Sequence, residues 1–230
     1  MSEFFRTSLF FGAFVSIGAF SLGRWMKKKW KLGIFNPLLV GIVLTIAALL
    51  ALRVDYPTYE QGARYITYLL TPSTVCLAVP LYERFELLKK NAAALFLGIG
   101  AGTLASLLSV TLLTRLFHMD HALYVTLLPK SITTAIGMGL SEELGGYASL
   151  TVAAIVITGV TGNITAEAAC RLFRITSPMA RGVAIGTATH AVGTAKALEM
   201  GETEGAMSSL SIVVAGLLTV VGANLCALFW

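Results

Sequence analysis

Charge is what this chain has least of. Only 13% of its 230 residues are Asp, Glu, Lys or Arg, against roughly 25% in a soluble domain. Cysteine is scarce as well: Cys76, Cys170 and Cys226 lie far apart in apolar runs. Their spacing excludes a disulfide framework and a zinc site, and they read as small buried hydrophobes. The apolar runs also lack the alternation of polar residues that transmembrane strands require. No basic segment precedes the first apolar run, and no small-residue cleavage site follows it. Its cations come afterwards, at Arg24, Lys27, Lys28, Lys29 and Lys31, the reverse of a cleaved signal peptide.

What is present is largely hydrocarbon. Hydrophobic residues make up 56% of the chain, and the mean hydropathy is +0.79. Uncharged runs cover 7–23, 32–52, 65–82, 91–114, 144–166 and 205–230, each near the roughly 20 residues of helix that cross a bilayer. The fold class read from this is all-α: a polytopic helical membrane protein whose partner is the lipid bilayer. Residues 1–230 form a single transmembrane domain, with spans at about 4–22, 33–52, 63–81, 92–116, 147–170 and 207–230. Pro72 interrupts the third span and Pro80 stands near its end. Small residues crowd the fourth (Gly98, Gly100, Gly102, Ala105, Ser106), where they serve helix packing. Asn163 and Asn224 lie inside spans and are expected to bridge helices.

The net charge of +5 does not indicate a nucleic-acid partner. Its lysines and arginines sit in short loops, 23–31, 82–91 and 171–181, where the positive-inside rule places them in the cytoplasm. His118, Asp120 and His121 lack a third ligand and read as a solvated turn, so no metal and no cofactor is expected. The absence of a transit segment points to a bacterial inner (plasma) membrane, crossed several times.

Two stretches are apolar enough for the membrane but too broken for plain spans. They are 122–146, containing PKSITTAIGMGLSEELGG, and 182–204, within GTATHAVGTAKALEMGETEGAMSS. A lysine at the bilayer centre costs about 2.5–3.5 kcal/mol, and glycines loosen a backbone that hydrocarbon requires to be fully bonded. Such segments persist where they line a wet, protein-walled cavity. The two also match each other: Thr133-Thr134-Ala135-Ile136-Gly137 aligns with Thr189-His190-Ala191-Val192-Gly193 at an offset of 56, and Glu143 and Gly145 align with Glu199 and Gly201. If 122–146 dips in and returns, the arginine loop 171–181 stays cytoplasmic. Each repeat then holds one re-entrant helix and one crossing, successive copies are inverted, and their broken segments face each other at mid-membrane. Secondary transporters are built this way. The competing topology threads both stretches across as unwound helices.

This pattern suits a small carboxylate, which needs a positive field and several donors. The candidate substrate-binding residues are Lys130, Ser131, Thr133 and Thr134 in one stretch, and Thr187, Thr189, His190, Gly193, Thr194 and Lys196 in the other. His190 titrates near physiological pH and is assigned a proton-linked step. No nucleophile and base are set apart from the general run of hydroxyls, so an enzyme is not expected.

The sequence resembles the LrgB/CidB family of bacterial membrane proteins from about residue 33 onward. The likeness rests on Asn36-Pro37-Leu38-Leu39, Pro80-Leu81-Tyr82-Glu83, the 129–146 string, Ala180-Arg181-Gly182, and the string 186–210. Members often carry an arginine where Lys196 stands, which changes a planar donor for a point charge. The resemblance implies transport of monocarboxylates of the pyruvate, glycolate and glycerate class. It equally implies an antiholin-like pore or regulator of murein hydrolase export and cell lysis, acting through oligomerisation faces. It further implies a smaller membrane partner of the LrgA/CidA type and a homo-oligomer.

Overall fold

The computed structural model describes residues 10–30 and 35–230. The start of the first expected span, the start of the second and Lys31 lie outside the described residues. Among those described, the chain is helical and contains no strand. It forms two compact units, 1–76 and 77–230.

In the first unit, α1 (Phe11–Trp30) packs against α2 (Pro37–Leu52) and α3 (Tyr56–Thr67), and α4 (Leu70–Cys76) follows. Asn36 starts α2: its Oδ1 accepts from the amides of Leu38 and Leu39 at 2.9 and 3.3 Å, and Pro37 occupies the first turn, where its missing N–H costs nothing. At the cationic end of α1, Lys29 lies 5.0 Å over the ring of Trp25 and 5.6 Å over that of Trp30.

The second unit begins with α5 (Ala78–Glu83) and α6 (Phe85–Lys90). Residues 63–81, expected as one span, are therefore distributed over the end of α3, all of α4 and the start of α5. Pro72 and Pro80 each fall in the first turn of a new helix, because a proline is tolerated there and not in a helix interior. Cys76 is exposed, not buried as expected. Three helices of this unit are long and apolar enough to cross a membrane: α7 (Ala92–Leu116), α10 (Ala148–Leu172) and α12 (Glu202–Leu228). Between them lie α8 (His121–Leu127), α9 (Thr134–Glu143) and α11 (Pro178–Met200). The last crossing begins at 202, five residues earlier than the expected span 207–230, because Glu202 and Glu204 sit in its first turn, where acids favour a helix N-terminus.

Both broken stretches fold back on themselves. In α11 the helix breaks at His190 (φ 46°, ψ −143°). Gly182, before the break, lies against Glu204 and Met207, while Leu198, after it, lies against Gly205. A straight helix would hold residues 182 and 198 about 24 Å apart, so neighbours of one short stretch of α12 cannot touch both unless the chain reverses. Closer to the tip, Ser208 meets Gly186 on one arm and bonds Thr194 on the other at 2.7 Å.

The α8–α9 pair repeats the design. Thr126 Oγ1 accepts from the amide of Tyr147 at 2.8 Å, and Thr151 Oγ1 lies 3.0 Å from the Thr126 carbonyl and 2.8 Å from Ser141 Oγ. Residues 126 and 141 thus lie side by side, and the chain turns between them at 128–133. The mouth of this hairpin is at the start of α10, and that of α11 is near its end, where Lys196 pairs with Glu167. The two hairpins enter from opposite ends. The offset of 56 relates their turning points, Thr133/Thr134 and Thr189/His190. Thr151 ties both arms of the first hairpin to α10. Thr151→Val should therefore lower stability by about 1–2 kcal/mol, seen as a lower thermal midpoint in detergent.

Candidate functional site

The hairpin tips meet beside the middles of α7 and α10. On the first tip, the Lys130 ammonium donates to Ser131 Oγ at 3.0 Å and to Ser106 Oγ of α7 at 3.3 Å, and those two hydroxyls are 3.2 Å apart. Among the described residues no carboxylate lies within ion-pair range of Lys130. On the second tip, Thr187 packs against Gly102 of α7 and Thr189 against Gly162 of α10. Glycine at these two positions lets the tip approach the crossing helices with no side chain between.

Two cavities flank Lys130. One, of about 490 Å³, is walled by Gly98, Gly102, Ala105, Ser106 and Ser109 of α7, by Ser131, and by Val183, Ala184, Thr187 and Ala188 of α11. The other, of about 610 Å³, runs between α10 and the first arm of α11, from Lys130 and Thr189 to Phe173 and Ile175. Lys130, Ala184 and Ala188 line both. Thr187 is only 5% exposed, and its hydroxyl has no hydrogen-bond partner. A buried hydroxyl left this way forfeits about 1–3 kcal/mol.

Of the residues expected to bind substrate, Lys130, Ser131, Thr187 and Thr189 wall these cavities. Thr133 and Thr134 are at the start of α9, Thr133 as the residue that precedes the helix. No side chain caps that end, so the first amides of α9 keep their donors. His190 is buried, with Nε2 3.0 Å from the Ile155 carbonyl of α10. Gly193 lies against Thr189 and Ile185. Thr194 Oγ1 donates to the His190 carbonyl at 2.9 Å and lies 2.7 Å from Ser208 Oγ. Lys196 lies at the mouth of the second hairpin, 2.6 Å from Glu167 and 3.4 Å from Glu199. The two lysines are thus held in unlike ways, one by hydroxyls at a tip and one by carboxylates at a mouth.

Read from sequence, Ser106 is assigned to helix packing and Glu167 is not singled out. The only trace of Ser106 was a hydroxyl in a span rich in small residues, a pattern that packing alone produces. Asn163 does bridge helices, donating to the Val192 carbonyl at 2.7 Å, whereas Asn224 bonds within its own helix to Val220 at 2.9 Å. Asp120 accepts from the Leu123 amide at 2.8 Å and so caps α8. No group of three or more His, Cys, Asp or Glu side chains is placed to hold a metal among the described residues.

In comparison with known proteins, residues 16–229 match the family described as LrgB-like. Two proteins of Bacillus subtilis (strain 168) are similar over nearly their full lengths. One, named antiholin-like protein LrgB, is 37% identical over 93% of this chain and 93% of its own. The other, named uncharacterized protein YwbG, is 34% identical over 94% of each chain. No solved structure matches.

Proposed function

From the premise that this chain belongs to the LrgB-like family, we propose that it passes small monocarboxylates across the membrane between its two hairpin tips. One observation carries the reading: a lysine in mid-bundle, between two cavities, bonded to hydroxyls and not to an acid. A permanent carboxylate there would neutralise it and leave nothing for an anion to gain. Serine and threonine hydroxyls orient the ammonium while leaving its charge available. Ser131, Ser106 and Thr187 add neutral donors or acceptors around it. The two return arms begin at the tips, so their positive ends also favour an anion there. His190, buried with its Nε2–H toward the Ile155 carbonyl at 3.0 Å, holds the second tip in place, and a proton-linked step would use its other ring nitrogen, Nδ1.

We place the protein in a bacterial inner membrane with its basic loops in the cytoplasm. From the resemblance we add a smaller membrane partner of the LrgA/CidA type and a second copy of the chain. One further reading has an observation of its own. The relative's name, antiholin-like, supports a pore or regulator that controls hydrolase export and lysis, and the names among the relatives favour this reading over a carrier. Vesicles with purified protein separate the two. Uptake of labelled pyruvate or glycolate that disappears in Lys130→Gln supports the carrier. No uptake by either protein, with lysis control in cells unaffected by Lys130→Gln, supports the regulator.

A further inference from the structure

The return arm of the second hairpin is laced to α10 at three successive levels. At the tip, His190 Nε2 lies 3.0 Å from the Ile155 carbonyl. Next, Asn163 Nδ2 donates to the Val192 carbonyl at 2.7 Å. At the mouth, Lys196 Nζ lies 2.6 Å from Glu167 Oε1. The first two ties are uncharged, and breaking them leaves polar groups without partners inside the bundle. The third differs. Its side chains are 18% and 41% exposed, so on separation Glu167 rehydrates and Lys196 keeps Glu199 as a partner, and the pair releases at less cost than a fully buried one.

We infer that Glu167 is a positioning residue. By holding Lys196 it keeps the return arm on α10, where Ala197 packs with Ala166 of α10 and Ile185 of the first arm, and the release of this pair is the step that frees the second hairpin. The charged groups around the tie fit this role. Arg171, one turn along α10, bonds Glu167 at 3.1 Å and orients it, and Glu199, on the same arm as Lys196, lies 3.4 Å from the ammonium. Glu199 therefore receives Lys196 when Glu167 lets go, without any new charge being buried. On the other arm, Arg181 lies 3.9 Å from Glu204 of α12 and donates to the Ile175 carbonyl at 2.8 Å, so its polar ties do not depend on Glu167. Cys170 reports the movement. It is buried and lines the larger cavity together with Ala166, Ala184 and Ile185.

The inference rests on the reading that solutes pass between the tips, but its test does not need transport. In a Cys76→Ser, Cys226→Ser background Cys170 is the single thiol. Labelling by a water-soluble maleimide is followed in membrane vesicles. Glu167→Lys should speed labelling on the order of tenfold, since repulsion replaces attraction at the mouth. Glu167→Gln should give a smaller rise, and Glu167→Lys combined with Lys196→Glu should return the rate towards that of the parent. Thermal midpoints should shift little in all three. Unchanged labelling in Glu167→Lys and Glu167→Gln overturns the inference, as does labelling that rises only in proportion to lost stability. If labelling responds while vesicles take up no carboxylate, the clamp stands and the carrier reading falls. If uptake occurs and labelling does not respond, the clamp falls and the carrier reading stands.

Discussion

Lys130→Gln should lower the carboxylate flux proposed for this chain by ten- to a hundredfold while making the protein more stable, and the two effects have one origin. The ammonium offers an entering anion a charge-assisted hydrogen bond, worth about 1.5–3 kcal/mol, and each 1.4 kcal/mol is about a factor of ten. Glutamine keeps a donor but not the charge. In the empty protein that same charge is a cost. A lysine deep in a bilayer is unfavourable by about 2.5–3.5 kcal/mol, and here only hydroxyl contacts and the openness of the cavities offset it. Its removal should recover about 1 kcal/mol, the exchange between activity and stability expected where a site is held ready for a ligand. Tracer uptake in vesicles and thermal unfolding in detergent measure the two sides. Lys130→Arg should keep most of the flux, because the charge remains. Loss of flux in Lys130→Arg equal to that in Lys130→Gln would show that shape at the tip matters and charge does not.

The second large effect is structural. Gly186→Ala should destabilise by about 3 kcal/mol, the upper end of overpacking, whereas Gly100→Ala should be neutral or stabilising by about 0.5–1 kcal/mol. Both glycines lie inside helices, and composition gives no reason to separate them. Their surroundings do. A methyl group at Gly186 would meet the backbone of Ser208, coming within 2.7 Å of its Cα, while one at Gly100 would meet no heavy atom within 4 Å. Ser208 cannot withdraw freely, since its hydroxyl bonds Thr194 on the opposite arm at 2.7 Å. The first arm and α12 would have to part, opening the hairpin near its tip. Thermal midpoints of the two variants give the comparison; equal shifts would mean that this contact is looser than the structure has it.

Much of this architecture was legible before the coordinates. Uncharged runs located α7, α10 and α12, since hydrocarbon tolerates little else. The repeat matched Thr133/Thr134 with Thr189/His190, which the fold places at the ends of the two turns, but it did not itself decide whether the stretches reverse or cross. The same offset, followed further, separates the two lysines. Lys130 aligns with Gly186 and Lys196 with Leu140, so they were never equivalent, although each looked like a lone cation in an apolar stretch. Local sequence cannot distinguish a lysine that faces hydroxyls from one that faces carboxylates; that depends on what a helix thirty residues away presents. Glu167 is such a residue, legible as the acid that ends an uncharged run but not as the partner of Lys196. The third span failed for a different reason. Its apolar content was sufficient, but two prolines restart the helix, and hydropathy averages do not register where a backbone begins again.

A strand of polypeptide that turns round at mid-depth emerges on the face it entered, so the two hairpins add nothing to the tally of traverses. With α7, α10 and α12 as the membrane-crossing helices of the second unit, the tally is odd. Residues 84–90 and Trp230 then emerge on opposite faces, while His118 and Gly145 share one. Residues can be added to or removed from either tip without re-threading anything downstream. The tips are thereby free to vary in length and chemistry while the sidedness of every loop stays fixed.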